Sequence, residues 1–400
     1  MNNLNMQTVI HLDAPIAAGI ARKSFSGANA GNEHFISVEA AAGLAFSDQL
    51  EIVQRRYAQA VESLGLSPQS AVFRRIFLSD VLNQADLVHK SMLVAETPGD
   101  PVAVSIVQQP PLSGAKIALL AYHIESPGSF VKQRISPQHV VIEKNGLGHL
   151  WSTRLCTGAS DSSPPPVTEQ TRQAFTGLID TLSELGGTLR DHCIRTWIYL
   201  RNVDVFYQGM VDSRTELFEE QGLTADTHYI ASTGIEGACA HRSDLVMMDA
   251  YSVLGMAPQQ MSFLNDFDHL CATKDYNVTF ERGTRIAYAD RAHHFISGTA
   301  SIDTAGRVVH PGDVLKQLEL ALTNVDALLR AGAAGLDDMM HLLVYLRDPT
   351  DYASVRQYLS ARFPDLPILI VQGAVCRPDW LIEVECIAMV AHDEPGLPSF

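Results

Sequence analysis

No stretch of the sequence runs for about 18 consecutive apolar residues, so a membrane-spanning helix is excluded on length alone. Cysteine is scarce: Cys156, Cys193, Cys239, Cys271, Cys376 and Cys386 are the only six in 400 residues, and none forms C-x-x-C. That spacing argues against a disulfide framework or a zinc knuckle and makes a reducing cytoplasm the expected setting. The opening MNNLNMQTVIHLDAP has no basic stretch followed by an apolar core, so no signal peptide is expected. Positive charge is also short, with 29 Lys and Arg against 45 Asp and Glu and a formal net charge of −16. A nonspecific nucleic-acid binder needs a basic face to displace phosphate counterions, and this chain lacks the composition for one. The 15 histidines include neither H-x-x-x-H nor H-E-x-x-H, so no metal site is implied. There is no G-x-G-x-x-G and no Walker A sequence, and no cofactor is expected.

What is present is a chain 46% hydrophobic, long enough for two to four compact units at roughly 100–200 residues each. Its order of elements repeats three times. An amphipathic helix is expected at 47–66, with Leu50, Val53, Tyr57, Val61 and Leu64 on one side, and again at 168–187 and 311–332. A strand rich in aromatic and β-branched residues follows each, at 71–80, 193–202 and 339–348. Shorter helices are expected near 81–92, 205–221 and 350–362, and closing strands at 115–123, 243–253 and 380–391. Strands, helix, strand, helix, strand is an α+β unit whose second sheet face, expected to carry Ile382 and Val384, needs a further partner. Links are placed near 126–146 and 255–278, ASDSSPPPV at 159–167 reads as a loop before the second long helix, and the ends, 1–30 and 392–400, are expected to be mobile. GIEG at 234–237 reads as a tight turn.

This order resembles the Rid/YjgF family, mainly homotrimers with ligand sites in the clefts between subunits. FISGTASID at 295–303, VYLRD and LIEVECIAMV at 381–390 carry the likeness best. The resemblance implies three tandem Rid/YjgF-like (chorismate-mutase-like) units, at 1–130, 147–255 and 279–392, forming a single-chain pseudo-trimer, either alone or as a dimer of it. Rid enamine deaminases grip the substrate carboxylate with an arginine before the closing hairpin, but the matching position here is Ile368. A sharper likeness is to the chorismatases, of the 3-hydroxybenzoate synthase-like branch, which end in Cys-Arg-x-x-Leu-Leu-Val-Glu-Ile. Cys376, Arg377 and Glu383 match that stretch, and Ser297 to Ile302 match an S-G/A-T-A-S segment. Phe280 and Arg282 match a Phe-Ser-Arg-Ala element, and Tyr207 and Arg214 an aromatic and Gly-Arg pair. Departures are Trp380 for a leucine, Ser213 for the glycine before Arg214, and DYN at 275–277 where a tyrosine-glycine stretch is usual.

The resemblance implies release of pyruvate from chorismate or a related enolpyruvyl acid, giving a hydroxybenzoate or a dihydroxycyclohexadiene carboxylate, in the cleft between the second and third units. Protonating the enolpyruvyl methylene carbon requires an acid still protonated near neutrality, which a carboxyl becomes only when burial raises it well above about 4.3. Glu383, between Ile382 and Val384, is the expected general acid. Strand alternation aims Glu385 to the same face, where the two either repel, raising one pKa, or Glu385 reaches a solvated end. Cys376 and Gly298 are expected to shape the pocket, and together they lean toward a hydroxybenzoate product. Arg214, Arg282 and Arg377, with Tyr207, are expected to bind a small anionic substrate through planar guanidiniums. Arg195 and Arg347 stand behind them, with structural ion pairs as their expected role. Enamine or imine deamination in another cleft, and a non-catalytic binding protein on the same scaffold, remain the alternatives.

Overall fold

The computed structural model describes residues 19–28, 31–126, 128, 130–158, 163–271, 273 and 278–400. Residues 1–18, part of the loop at 159–167, and DYN at 275–277 lie outside them. The first stretch of chain forms β1 (Ile20–Ser26), β2 (Asn32–Glu39), α1 (Phe46–Ser63), β3 (Ala71–Leu78), α2 (Val81–His89), β4 (Ala103–Gln108) and β5 (Ile117–Ile124). The second forms β6 (Val131–Arg134), β7 (His139–Lys144), β8 (Leu147–Leu155), α3 (Val167–Glu184), the short α4 (Leu189–His192), β9 (Cys193–Leu200), α5 (Val203–Glu220), β10 (Ala231–Glu236) and β11 (Val246–Leu254). The third forms β12 (Met261–Phe263), β13 (Gly283–Ala287), β14 (Arg291–Ala300), α6 (Val314–Ala331), β15 (Met339–Leu346), α7 (Tyr352–Arg362), β16 (Ile368–Gln372) and β17 (Ile382–Ala391).

Each stretch builds one sheet, with orders β1-β2-β5-β3-β4, β6-β7-β8-β11-β9-β10 and β12-β13-β14-β17-β15-β16. In all three the closing strand lies antiparallel between the hairpin and the middle strand, and the middle strand pairs in parallel with the edge strand after the second helix. Strands β3, β9 and β15 are buried along their whole length because both sheet faces are covered. This is why an unbroken apolar and aromatic run, not alternation, marks them in sequence. Helix α6 starts where the Asp313 side chain accepts from the Lys316 amide, and buries Leu318, Ala321, Leu322, Val325 and Leu328.

The three sheets meet on their helix-free faces. One backbone hydrogen bond recurs at each junction: Gln108 N to Ala238 O (2.8 Å), Glu236 N to Ala374 O (3.1 Å) and Gln372 N to Pro110 O (2.8 Å). They join the first sheet to the second, the second to the third and the third to the first. Ring contacts follow the same circuit, with Phe73 stacked on Trp151 at 4.6 Å, Tyr251 against Phe295 at 5.3 Å and His341 against Phe35 at 5.0 Å. At the centre, buried Arg75 lies 3.4 Å from Asp249 and 3.7 Å from Glu385, over the Trp197 ring at 4.5 Å.

Several expectations are corrected. The first link contains β6 and β7, which extend the second sheet, so that unit begins before residue 147; the second link contains β12. Alternation puts Glu383 and Glu385 on the face between units, so Ile382 and Val384 point to the opposite, helix-covered face. Gly234 to Glu236 belong to β10 and form no turn, because they pair in parallel with β9. Neither end is loose over its described part: β1 pairs along its length with β2, and the tail folds back. Phe400 is 1% exposed, with the rings of His293, His149 and Tyr288 at 4.7, 5.2 and 5.2 Å. Its backbone oxygen accepts from Lys144 Nζ and, at 2.7 Å, from Asn145 Nδ2. Phe400→Ala is expected to cost about 3–5 kcal/mol, read as a lowered urea midpoint at unchanged slope; a loss under about 1 kcal/mol would mean that the ring does not stay docked in solution.

Candidate active site

A cavity of about 330 Å³ opens between the second and third units, at the lower end of the size range of small-molecule sites. Tyr207, Gln208, Val211 and Arg214 of α5 and Ser232, Thr233 and Gly234 of β10 form one wall. The other comes from the third unit: Val278, Phe280, Arg282, Gly298, Ala300, Ile302, Cys376, Arg377, Trp380 and Glu383. All seven residues nominated from sequence (Glu383, Cys376, Arg214, Tyr207, Arg282, Gly298 and Arg377) reach this one cavity. Of metal-ligating types, its described lining holds only Cys376 and Glu383.

Glu383 is the second residue of β17 and 6% exposed. Opposite it, β14 carries a bulge between Ile296 and Thr299, which pushes Gly298 toward the carboxyl. A Cβ on Gly298 would lie 2.2 Å from Glu383 Oε1, so only glycine fits the present arrangement. Burial and the nearby Glu385 carboxylate push the Glu383 pKa up to about 8, with Arg195 and Arg282 opposing. At pH 7 about nine molecules in ten therefore carry the acid.

Glu385 is not at a solvated end. It accepts from Arg195 Nη2 and Trp197 Nε1, each at 2.8 Å, and from the Thr233 hydroxyl. Thr233 Oγ1 in turn accepts from the Gly298 amide at 2.9 Å, tying the second unit to the bulge. Ser232 N donates to Ser297 Oγ at 2.9 Å beside it. One carboxylate is thus surrounded by donors while its neighbour two residues away is left in a poorer environment, the arrangement that separates an acid from an anion.

Burial, then Glu383, pushes the Cys376 thiol up to about 12, against a hydrogen bond with Tyr207. It is a neutral thiol at neutral pH, not a thiolate nucleophile. Buried Arg282 donates from Nη2 to Cys271 O at 3.2 Å, and buried Arg214 from Nε to Thr279 Oγ1 at 3.1 Å. Arg377 donates to Gly306 O at 3.1 Å and stacks over Trp380 at 4.8 Å, whose indole N–H donates to Ser301 O at 2.9 Å. Arg195 and Arg347 are engaged elsewhere, Arg195 with Glu385 and Arg347 with both Asp204 oxygens at 2.9 Å.

Sequence reasoning missed Thr233, Ser232 and the indole platform of Trp380. Ser232 and Thr233 sit in a plain ASTG strand with no local signal, and matter only because another unit packs on them. Register also exposes the other clefts. Glu383 lies opposite Tyr345, Met247 opposite Tyr199 and Ala118 opposite Phe77, so Met247 and Ala118 hold the places equivalent to the acid.

Residues 285–390 match the family profile described as Endoribonuclease L-PSP. A RutC family protein of Drosophila melanogaster is 31% identical over 102 residues, 25% of this chain and 74% of that one. The chain belongs to this family, the Rid/YjgF family. It is also 28% identical over 248 residues to a 3-hydroxybenzoate synthase of Streptomyces hygroscopicus, 56% of this chain and 70% of that one. A crystal structure of chorismatase superposes with a TM-score of 0.60 at 20% identity, covering 80% of this chain and 93% of that one, which bears on the fold alone. Among the described residues no helix is long and apolar enough to cross a membrane.

Proposed function

We propose that this protein is a chorismatase-like enzyme, releasing pyruvate from chorismate or a related enolpyruvyl acid. The observation that carries the reading is a buried Glu383, its pKa raised by burial, held against Gly298 in a cavity lined by Arg214, Arg282 and Arg377. Glu383 transfers its proton to the terminal methylene carbon of the enolpyruvyl ether, leaving an oxocarbenium ion. Attack by water, or by the substrate's own hydroxyl, then leads to cleavage of the ether and departure of pyruvate. The guanidiniums take the substrate carboxylates, and the glutamate left behind is an anion that stabilises the cation until a proton returns. The neutral Cys376 thiol beside the acid accords with the hydroxybenzoate route, which takes up no net water, whereas the dihydrodiol route takes up one.

The same reading makes the chain a single-chain pseudo-trimer, supported by the three equivalent junction hydrogen bonds and the shared strand order. Met247 and Ala118 at the acid's place support a single working cleft, with small-molecule substrate as the only partner required. Ile368 in β16, where a Rid deaminase has its arginine, argues against imine hydrolysis here.

The test is incubation with chorismate, assay of pyruvate, and mass spectrometry of the ring product. Pyruvate with a hydroxybenzoate supports the full reading, and pyruvate with a dihydrodiol supports the reaction class alone. Thermal stabilisation by chorismate without pyruvate would make this a binding protein. Activity should fall about tenfold per pH unit above pH 8, as Glu383 ionises. Glu385→Gln removes the charge that raises Glu383 and leaves the Arg195 cation unopposed, so it should move that alkaline limb to lower pH by roughly one unit. An unmoved limb would mean that another group sets it.

A further inference from the structure

We propose that Cys156, Cys239 and Asp244 form a second site, one that binds a thiophilic divalent cation of the zinc type. Cys156 follows β8, while Cys239 and Asp244 lie in the one connection from β10 to β11, so two segments of the second unit converge. One ligand atom from each, two sulfurs and a carboxylate oxygen, all lie within 4.8 Å of one another. Cys239 Sγ stands 3.8 Å from Asp244 Oδ2. Tetrahedral zinc, with sulfur at about 2.3 Å and oxygen at about 2.0 Å, places such a pair roughly 3.5 Å apart, so this pair needs a shift of only a few tenths of an ångström.

The carboxylate is already oriented. Thr157 Oγ1 donates to Asp244 Oδ1 at 2.5 Å and the Gly158 amide to Oδ2 at 3.1 Å, the kind of outer support that ligating carboxylates carry. Asp244 and Cys239 are buried and Cys156 is half-buried. A divalent cation bound by two thiolates and a carboxylate offsets two of their three negative charges, and its binding releases the thiol protons. A disulfide would use the sulfurs but give the carboxylate no part.

The location is telling. Val246 lies opposite Leu200 as Ile382 lies opposite Leu346, and Gln170 accepts from Leu245 N as Gln317 accepts from Leu381 N. Asp244 is thus the counterpart of Trp380. Leu155 opposite Met248 matches Thr299 opposite Val384, which makes Cys156 the counterpart of Ala300. Gly237 N donates to Leu200 O as Gly373 N donates to Leu346 O, which makes Cys239 the counterpart of Val375. Ala300 and Trp380 line the candidate catalytic cavity, and Val375 adjoins Cys376. The ligand set therefore occupies, next to the first unit, the place that the cavity occupies next to the second.

The test uses the full chain, reduced and freed of metal with a chelator, then titrated with Co²⁺ and back-titrated with Zn²⁺. A thiolate-to-cobalt charge-transfer band at one equivalent, displaced by Zn²⁺, is expected. Cys156→Ser and Cys239→Ser should each weaken Co²⁺ binding by roughly 100-fold or more while leaving the melting temperature in chelator unchanged. Cys156→Ser, at the half-buried position, keeps the test sound should Cys239→Ser fail to fold. Absence of the band, or a band that survives Cys156→Ser, overturns the proposal. So does a Cys156–Cys239 disulfide, formed with hydrogen peroxide, in a protein whose reduced form takes up no metal.

Discussion

On the proposed chemistry, Glu383→Gln is expected to lower pyruvate release from chorismate by at least roughly 10²–10⁴-fold while the protein stays folded. Glutamine keeps the volume and the hydrogen-bonding shape but has no proton to give to carbon. The same substitution has a second, separable effect. Because the folded pKa of about 8 lies above the ordinary value of 4.5, the native state holds a proton that the unfolded chain gives up between those two values. In that window the unfolded state binds fewer protons, so stability falls as pH rises, by about 3–5 kcal/mol in all once pH passes 8. Glutamine removes that slope. Denaturation midpoints of the two proteins should therefore differ little near pH 5, and the variant should be the more stable at pH 8.5. Parallel curves would mean that Glu383 is not held protonated, and unimpaired turnover would remove it from the chemistry.

Gly298→Ala is the second large effect. The added methyl meets Glu383 Oε1 at 2.2 Å, its Cδ at 2.8 Å and Thr233 Cγ2 at 3.1 Å. The carboxyl is the movable partner, because the bulge is fastened through the Gly298 amide to Thr233 and through Ser297 Oγ to Glu281 O at 2.6 Å. A displacement of about 1 Å at a proton-transferring group is enough to cost roughly 100-fold in rate, whereas overpacking of this kind costs about 1–3 kcal/mol of stability. Steady-state kinetics should show the loss in kcat with KM little changed, since the arginines do not move. If kcat is unchanged, the acid works equally well swung aside and the bulge does not position it.

The order of helices and strands was legible because each unit is periodic where it meets its own sheet and continuous where it is buried on both sides. The closing stretch was legible residue by residue: Cys376, Arg377 and Glu383 lie within eight positions of one another. What stayed hidden is what depends on packing between units. Thr233 has nothing in its neighbours to distinguish it, and its importance comes from a glutamate 152 residues away. Cys156, Cys239 and Asp244 stayed hidden for another reason: their spacing resembles no ligand motif, and they meet only through the folding of the second unit. The tail looked loose because Pro, Gly and Asp dominate HDEPGLPSF, but its last side chain finds an aromatic seat between His149, Tyr288 and His293. Glu385 posed the reverse difficulty: alternation placed it beside Glu383, but its partners, Arg195 and Trp197, come from another unit.

The positions of Ala118, Met247 and Glu383 on three equivalent strands bear on how such a site can be maintained. In a ring of identical subunits, any residue is written at all three clefts at once. A buried, protonated carboxyl then weighs on the fold three times over, and every trial change in the acid's surroundings is made in triplicate. Here the cost of keeping an acid out of water falls on one strand alone, and apolar residues stand at the other two places.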